Sequence, residues 1–155
     1  GCMYKVSDTK KVSEILQEVS EVDDDILYFC HNGITATALV ALRDKGKKPI
    51  VRLIPKANEL YGTFINSYVN VSNVDYHGNM EIQIYIGSTN ARERERLCKC
   101  RKLPTLGNLL DVFDKCPKLK YKAKYTLVFS KKAKKLDMYK VNELFPSNRF
   151  EILME

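Results

Sequence analysis

Two short apolar runs, ILYFC (26–30) and PIVRLIP (49–55), enclose one amphipathic stretch, ITATALVALRD (34–44), closed by Gly46. This succession constrains the fold most. The runs are too short for helices and rich in strand formers, whereas the segment between them suits a buried helix with a glycine stop. Strand, helix and strand in that order predict a βαβ unit with parallel strands and a right-handed crossover. Upstream, KKVSEILQEVSEV sets Val12, Ile15, Leu16, Val19 and Val22 at helical spacing, so a helix precedes the first run.

The next segments read less cleanly. In ANELYGTFIN (57–66), Leu60, Phe64 and Tyr68 make a helical stripe that Gly62 and Thr63 weaken. SYVNVSNVDY (67–76) partly alternates, HGN (77–79) is a turn signal, and MEIQIYIG (80–87) alternates Met80, Ile82, Ile84 and Ile86. Two such runs around a glycine turn predict a β-hairpin. Asn90 is placed to cap a helix over ARERERLCKC, and Thr105 a second over LGNLLDVFDKC. YKAKYTLVFS (121–130) reads as a strand, KKAKKLDMYKVNELF (131–145) as a helix and RFEILM as a closing strand. The expectation is an α/β (α+β) protein with a mixed sheet flanked by helices. An N-terminal α/β part (1–60) would join a basic part (61–155) of order hairpin–α–α–β–α–β, either as one compact domain or as two halves.

Charge separates the two parts. The chain has 155 residues and a formal charge of +7, yet residues 81–155 hold 17 Lys and Arg against 9 Asp and Glu. A basic excess confined to one half points to an anionic partner, most often nucleic acid. Lys115, Lys118, Lys120, Lys122 and Lys124 share their segment with Tyr121 and Tyr125, and Lys131, Lys132, Lys134 and Lys135 follow. Lysines contact phosphates, and an exposed tyrosine can stack on an unpaired base. On a regular strand, however, the lysines and tyrosines point to opposite faces, so buried tyrosines under a basic surface are the plainer expectation. Arg92, Lys99, Lys122, Lys124, Lys131 and Lys132 are the candidate nucleic-acid contacts.

The turn GSTN (87–90) opens the helix that carries RERER. Backbone amides at a helix start, a glycine and three polar side chains suit a phosphate oxygen, but the same residues suit ordinary capping of a solvated helix. Cys98, Cys100 and Cys116 form a Cys-x-Cys pair with a remote partner, which is poor zinc spacing, and Cys30 beside His31 is poor geometry for a nucleophile and its base. Asn32–Gly33 reads as a plain strand-to-helix turn. The five cysteines are odd in number, no apolar run approaches about 18 residues, and GCMYKV has no apolar signal region. An intracellular protein without membrane association is expected.

IYIGSTNARERERL (84–97) resembles the second strand and first helix of GIY-YIG endonuclease domains. Tyr85, Ile86 and Gly87 match the second signature triplet, Arg96–Leu97 reproduces an arginine–apolar pair, and the order of elements is similar. The tail, YTLVFSKKAKKLDMYKVNELFPSNRFEIL, faintly resembles the branch found in phages and large DNA viruses, with Asn142 in place of its histidine. Ten residues after the tyrosine stands Glu95, between Arg94 and Arg96. The resemblance implies Tyr85 assisting proton transfer, Arg96, or Arg94 in the other register, neutralising charge on the phosphate, and Glu143, with Asp137 second, as the ligand of a divalent cation such as Mg²⁺. Three functions follow as expectations: nucleic-acid binding on this scaffold, metal-dependent phosphodiester cleavage, or a non-catalytic viral or host-directed interaction module that docks an acidic protein.

Overall fold

The computed structural model describes residues 2–5, 11–21, 26–30, 34–57 and 60–155. Among the described residues the elements run β1 (Cys2–Lys5), α1 (Val12–Ser20), β2 (Ile26–Cys30), α2 (Ala36–Asp44), β3 (Lys48–Leu53), α3 (Tyr61–Val74), β4 (Glu81–Gly87), α4 (Ala91–Cys98), α5 (Leu106–Lys115), β5 (Tyr125–Phe129), α6 (Met138–Leu144) and β6 (Phe150–Met154). The strands form one sheet in the order β1-β2-β3-β4-β5-β6. Every neighbouring pair is parallel.

The α/β class and the β2–α2–β3 unit are as the sequence indicates. The hairpin and the mixed sheet are not. Residues 61–74 are helical, and β4 pairs in parallel with β3 and β5. The valines at 69 and 71 favour strands locally, but burial overrides that preference. Ile65, Tyr68, Val69, Val71 and Ser72 sink into the core as the inner face of a helix. The Tyr68 hydroxyl donates to the Ile34 carbonyl at 3.1 Å, and that of Tyr76 donates to the Leu39 carbonyl. Tyr68 thereby ties α3 to the chain entering α2, and Tyr76, just past the end of α3, ties that end to α2 itself. The HGN signal ends this helix: Gly78, at φ +82°, sends its amide back to the Ser72 carbonyl at 2.9 Å.

One face of the sheet carries the core. Leu27, Phe29, Val51, Leu53, Ile82, Ile84, Ile86, Tyr125, Leu127, Phe129 and Phe150 lie on it, in one cluster with residues of α1, α2, α3, α5 and α6. Strands in sequential order joined by crossovers of one hand place their helices on one side. Phe113 of α5 ties this layer to the sheet, 4.7 Å from the Tyr125 ring and 5.2 Å from Phe150. The basic part and the N-terminal part share this sheet and cluster, with the 60/61 boundary falling between β3 and α3.

The opposite face, which carries Arg52, Glu81, Gln83, Tyr85 and Thr126, contributes no residue to that cluster among the described residues. Parallel sheets are normally covered on both sides, because their hydrogen-bonded strands are usually apolar on both. Here a polar ladder covers the second face. Arg52 donates through Nε to Gln83 at 2.9 Å and through both terminal nitrogens to Glu155, at 2.8 and 2.6 Å. Thr126 donates to Glu81 at 3.0 Å. Ile50 and Val128 are buried beneath these longer side chains.

Candidate nucleic-acid interface

The GSTN turn sits at the carboxyl end of β4, where ligands of α/β sheets commonly bind. Gly87 adopts φ +80°, and a Cβ there would stand 3.3 Å from Leu97. The Ser88 amide turns back to the Ile86 carbonyl at 3.0 Å, which swings the chain into α4. Asn90 caps that helix through the Glu93 amide at 3.0 Å.

The place where an anion would sit is filled from within. Glu93 is buried and accepts the Ser88 hydroxyl at 2.7 Å and the backbone amides of Lys134 and Lys135 at 2.9 and 3.0 Å. The Ser88 hydrogen bond, followed by the Lys135 and Lys134 amides and the Arg96 charge, holds its carboxyl below the usual range. Thr89 is also spent: its hydroxyl accepts the Asp137 amide at 2.9 Å and lies 3.4 Å from the Lys135 carbonyl. The polar turn therefore clamps the 131–137 loop onto α4 and offers no vacant phosphate cradle.

The arginines of RERER have separate roles. Arg94 is only 4% exposed, with Nε toward the Ile86 carbonyl at 3.3 Å and Nη1 donating to the Pro104 carbonyl at 2.8 Å. It ties the end of β4 to the loop before α5. Arg96 is exposed and approaches Glu93 at 3.5 Å. The expectation of a wholly solvated RERER face is therefore corrected at Glu93 and Arg94, which the loop and the strand end cover.

The three residues that the resemblance marks as catalytic are not joined by any hydrogen bond or ion pair among the described residues. Tyr85 lies on the polar face of the sheet, with the Arg52 guanidinium 5.9 Å from its ring centre. Burial pushes its phenol up, as does the neighbouring Cys98, against the opposing pull of Ser130 and Arg52. Glu143 is exposed on α6, two residues from the core residue Val141. Two helical steps turn a side chain by about 200°, so Glu143 points outward from the helical layer while Tyr85 faces the other side of the sheet. No group of three or more His, Cys, Asp or Glu able to hold a metal forms among the described residues. Cys98, Cys100 and Cys116 are free, partly buried thiols. The proposed pair Cys30–His31 and the Asn32–Gly33 turn lie outside the described side chains.

The basic residues divide between the two ends of β5. Arg92, Arg96, Lys131, Lys132, Lys134 and Lys135 are exposed at its carboxyl end, around α4 and the clamped loop. Lys99 is exposed at the close of α4 in a left-handed conformation, φ +52°. Lys115, Lys118, Lys120 and Lys122 are exposed before the strand begins, with Lys124 half-buried. A five-residue strand separates the groups by about 17 Å. None of the ammonium groups at 118, 120, 122, 124, 131, 132, 134 and 135 forms an ion pair among the described residues.

The sequence reading expected a strand from residue 121, with both tyrosines inward. The strand starts at Tyr125, which is core; Tyr121 lies in a turn and is 58% exposed. No helix is long and apolar enough to cross a membrane among the described residues. Comparison with family models, with curated proteins and with solved structures finds no match to this chain.

Proposed function

We propose that this protein binds nucleic acid through its basic C-terminal half. The observation that carries the reading is the set of exposed lysines at both ends of β5 that have no carboxylate partner among the described residues. Each ammonium group that neutralises a phosphate releases counterions condensed on the nucleic acid, which drives binding of a polyanion to such a surface. Arg92, Lys99, Lys122, Lys124, Lys131 and Lys132 are the contacts proposed, with Lys134 and Lys135 beside them. A scaffold of the GIY-YIG kind remains part of the proposal only as the origin of the Tyr85–Gly87 strand end.

Binding is favoured over cutting by the placement of side chains. Arg94 is committed to two carbonyls, and Glu143 faces away from Tyr85. A phenol pushed up by burial stays protonated at neutral pH and is a poor proton acceptor.

Fluorescence anisotropy against a labelled oligonucleotide, repeated across salt concentrations, tests the reading. Affinity should fall steeply, and Lys131→Ala combined with Lys132→Ala should lower the logarithmic salt slope by about 1.5. Binding that ignores salt, or no binding at low salt, would overturn it; the latter would favour docking of an acidic protein. Plasmid nicking with Mg²⁺ or Mn²⁺ against EDTA should show no cutting. Metal-dependent cutting lost in Arg96→Ala and Glu143→Gln would restore the endonuclease reading, with Glu143 as the Mg²⁺ ligand.

A further inference from the structure

Three residues with left-handed backbones meet at the amino end of the sheet. His77 has φ +48°, Tyr121 φ +61° and Lys122 φ +60°. Such values are uncommon for side chains with a Cβ and persist only where the surroundings fix them. The surroundings do so here. Asn73 grips the neighbouring chain twice, donating to the Lys118 carbonyl at 2.9 Å and accepting the Lys120 amide at 2.8 Å. The Ala123 amide closes the turn on the Lys120 carbonyl at 3.1 Å. A Cβ on Gly78 would stand 2.8 Å from the Tyr121 Cβ, so only glycine allows this approach. The effect is to hold the Tyr121 ring away from the core. The imidazole of His77 braces it, with ring centres 5.3 Å apart and planes tilted by 57°.

Lysines surround this pair. Lys118, Lys120 and Lys122 are exposed, Lys124 is half-buried, and none has an ion-pair partner among the described residues. Asp75, close by in sequence, is taken by Arg43 at 2.9 Å. An exposed, braced aromatic ring among unpaired cations is the combination that holds a single strand: the ring stacks on a base and the cations track the flanking phosphates. A paired duplex hides its base faces and would gain only from the cations.

We propose that Tyr121, braced by His77, is a stacking site for an unpaired base of single-stranded nucleic acid, with Lys118, Lys120, Lys122 and Lys124 on the adjoining phosphates. This inference rests on the nucleic-acid-binding reading and adds to it a preference for single strands and a place where that preference arises.

The experiment uses fluorescein-labelled oligothymidylate and oligouridylate of about 12 nucleotides, and a duplex of equal length. Wild type should bind both single strands more tightly than the duplex. Tyr121→Ala should weaken single-strand binding on the order of 10-fold on both probes, while leaving duplex affinity and the salt slope unchanged. Tyr121→Phe should keep wild-type affinity. Tyr121→Gly, which suits the left-handed backbone, should show the same loss as Tyr121→Ala, separating the ring from any strain. The chain has no tryptophan, so Tyr121→Trp supplies a unique reporter whose emission should be quenched by the oligonucleotide. If Tyr121→Ala binds like wild type while Lys118→Ala with Lys122→Ala weakens single strands and duplex alike, the stacking site is overturned and electrostatic binding stands. If wild type binds no probe at low salt, both readings fall.

Discussion

Glu93 is the residue whose surroundings differ most from its sequence context. In RERER it alternates with arginines as a solvated residue would, yet its carboxylate takes the nearby Ser88 hydroxyl and two amides from a loop some forty positions away. Its folded-state pKa is lowered, so the stabilisation it gives is complete above the ordinary carboxyl value of 4.5 and is lost as pH falls through the lower folded value. Thermal unfolding of Glu93→Gln, followed by far-UV ellipticity, should therefore show a midpoint below wild type at pH 7. The gap between the two proteins should narrow as the pH is taken down towards 3. A gap that stays constant with pH would mean that the charge on Glu93 contributes nothing. The capping of α4 by Asn90 was legible in the sequence, because it needs only a polar residue before a helix. The partners of Glu93 and Arg94 were not, because backbone amides and carbonyls from distant segments leave no trace in side-chain pattern.

At the scale of elements, strain and burial decide where the sequence pattern fails. Segment 67–76 alternates well enough for a strand, but its inner residues match α2 and α5 and it winds as α3. Segment 121–124 alternates as well, but its first two residues form a left-handed turn, so Lys122 and Tyr121 leave the strand plane. A left-handed residue with a side chain costs about 1–2 kcal/mol relative to one without. Lys122→Gly should thus stabilise the protein by about 1 kcal/mol in urea unfolding, while weakening oligonucleotide binding through the lost charge. Equal or lower stability would show that the turn is not strained at this position. The helices α2 and α5 were readable because apolar spacing and end signals agree, α1 from its spacing alone and α4 from its Asn90 cap alone. The run 131–137, expected as helix, is instead drawn out along α4 by Glu93 and Thr89, and α6 begins only at Met138.

For the whole molecule, one sheet crosses the boundary that composition and charge suggest near residue 60. β3 and β4 pair in parallel across it, and the Arg52–Glu155 contact joins residues 103 positions apart. Unfolding should accordingly be a single cooperative transition: curves from far-UV ellipticity and tyrosine fluorescence in urea should coincide, as for one domain. Separate midpoints would mean that the halves fold independently. The sequence by itself determined the α/β class, the βαβ unit, most of the core positions and the concentration of positive charge in the second half. These follow from periodicity, turn chemistry and composition, which act over a few residues. Only the tertiary structure decided that the sheet is parallel throughout with its core on one face, that Arg94 is a buried tie, that Glu93 fills the anion-like turn, and that Tyr121 stands among lysines with no ion-pair partner among the described residues. Each of these depends on which distant backbone groups meet a given side chain, and pairing between strands is set by global packing rather than by local pattern.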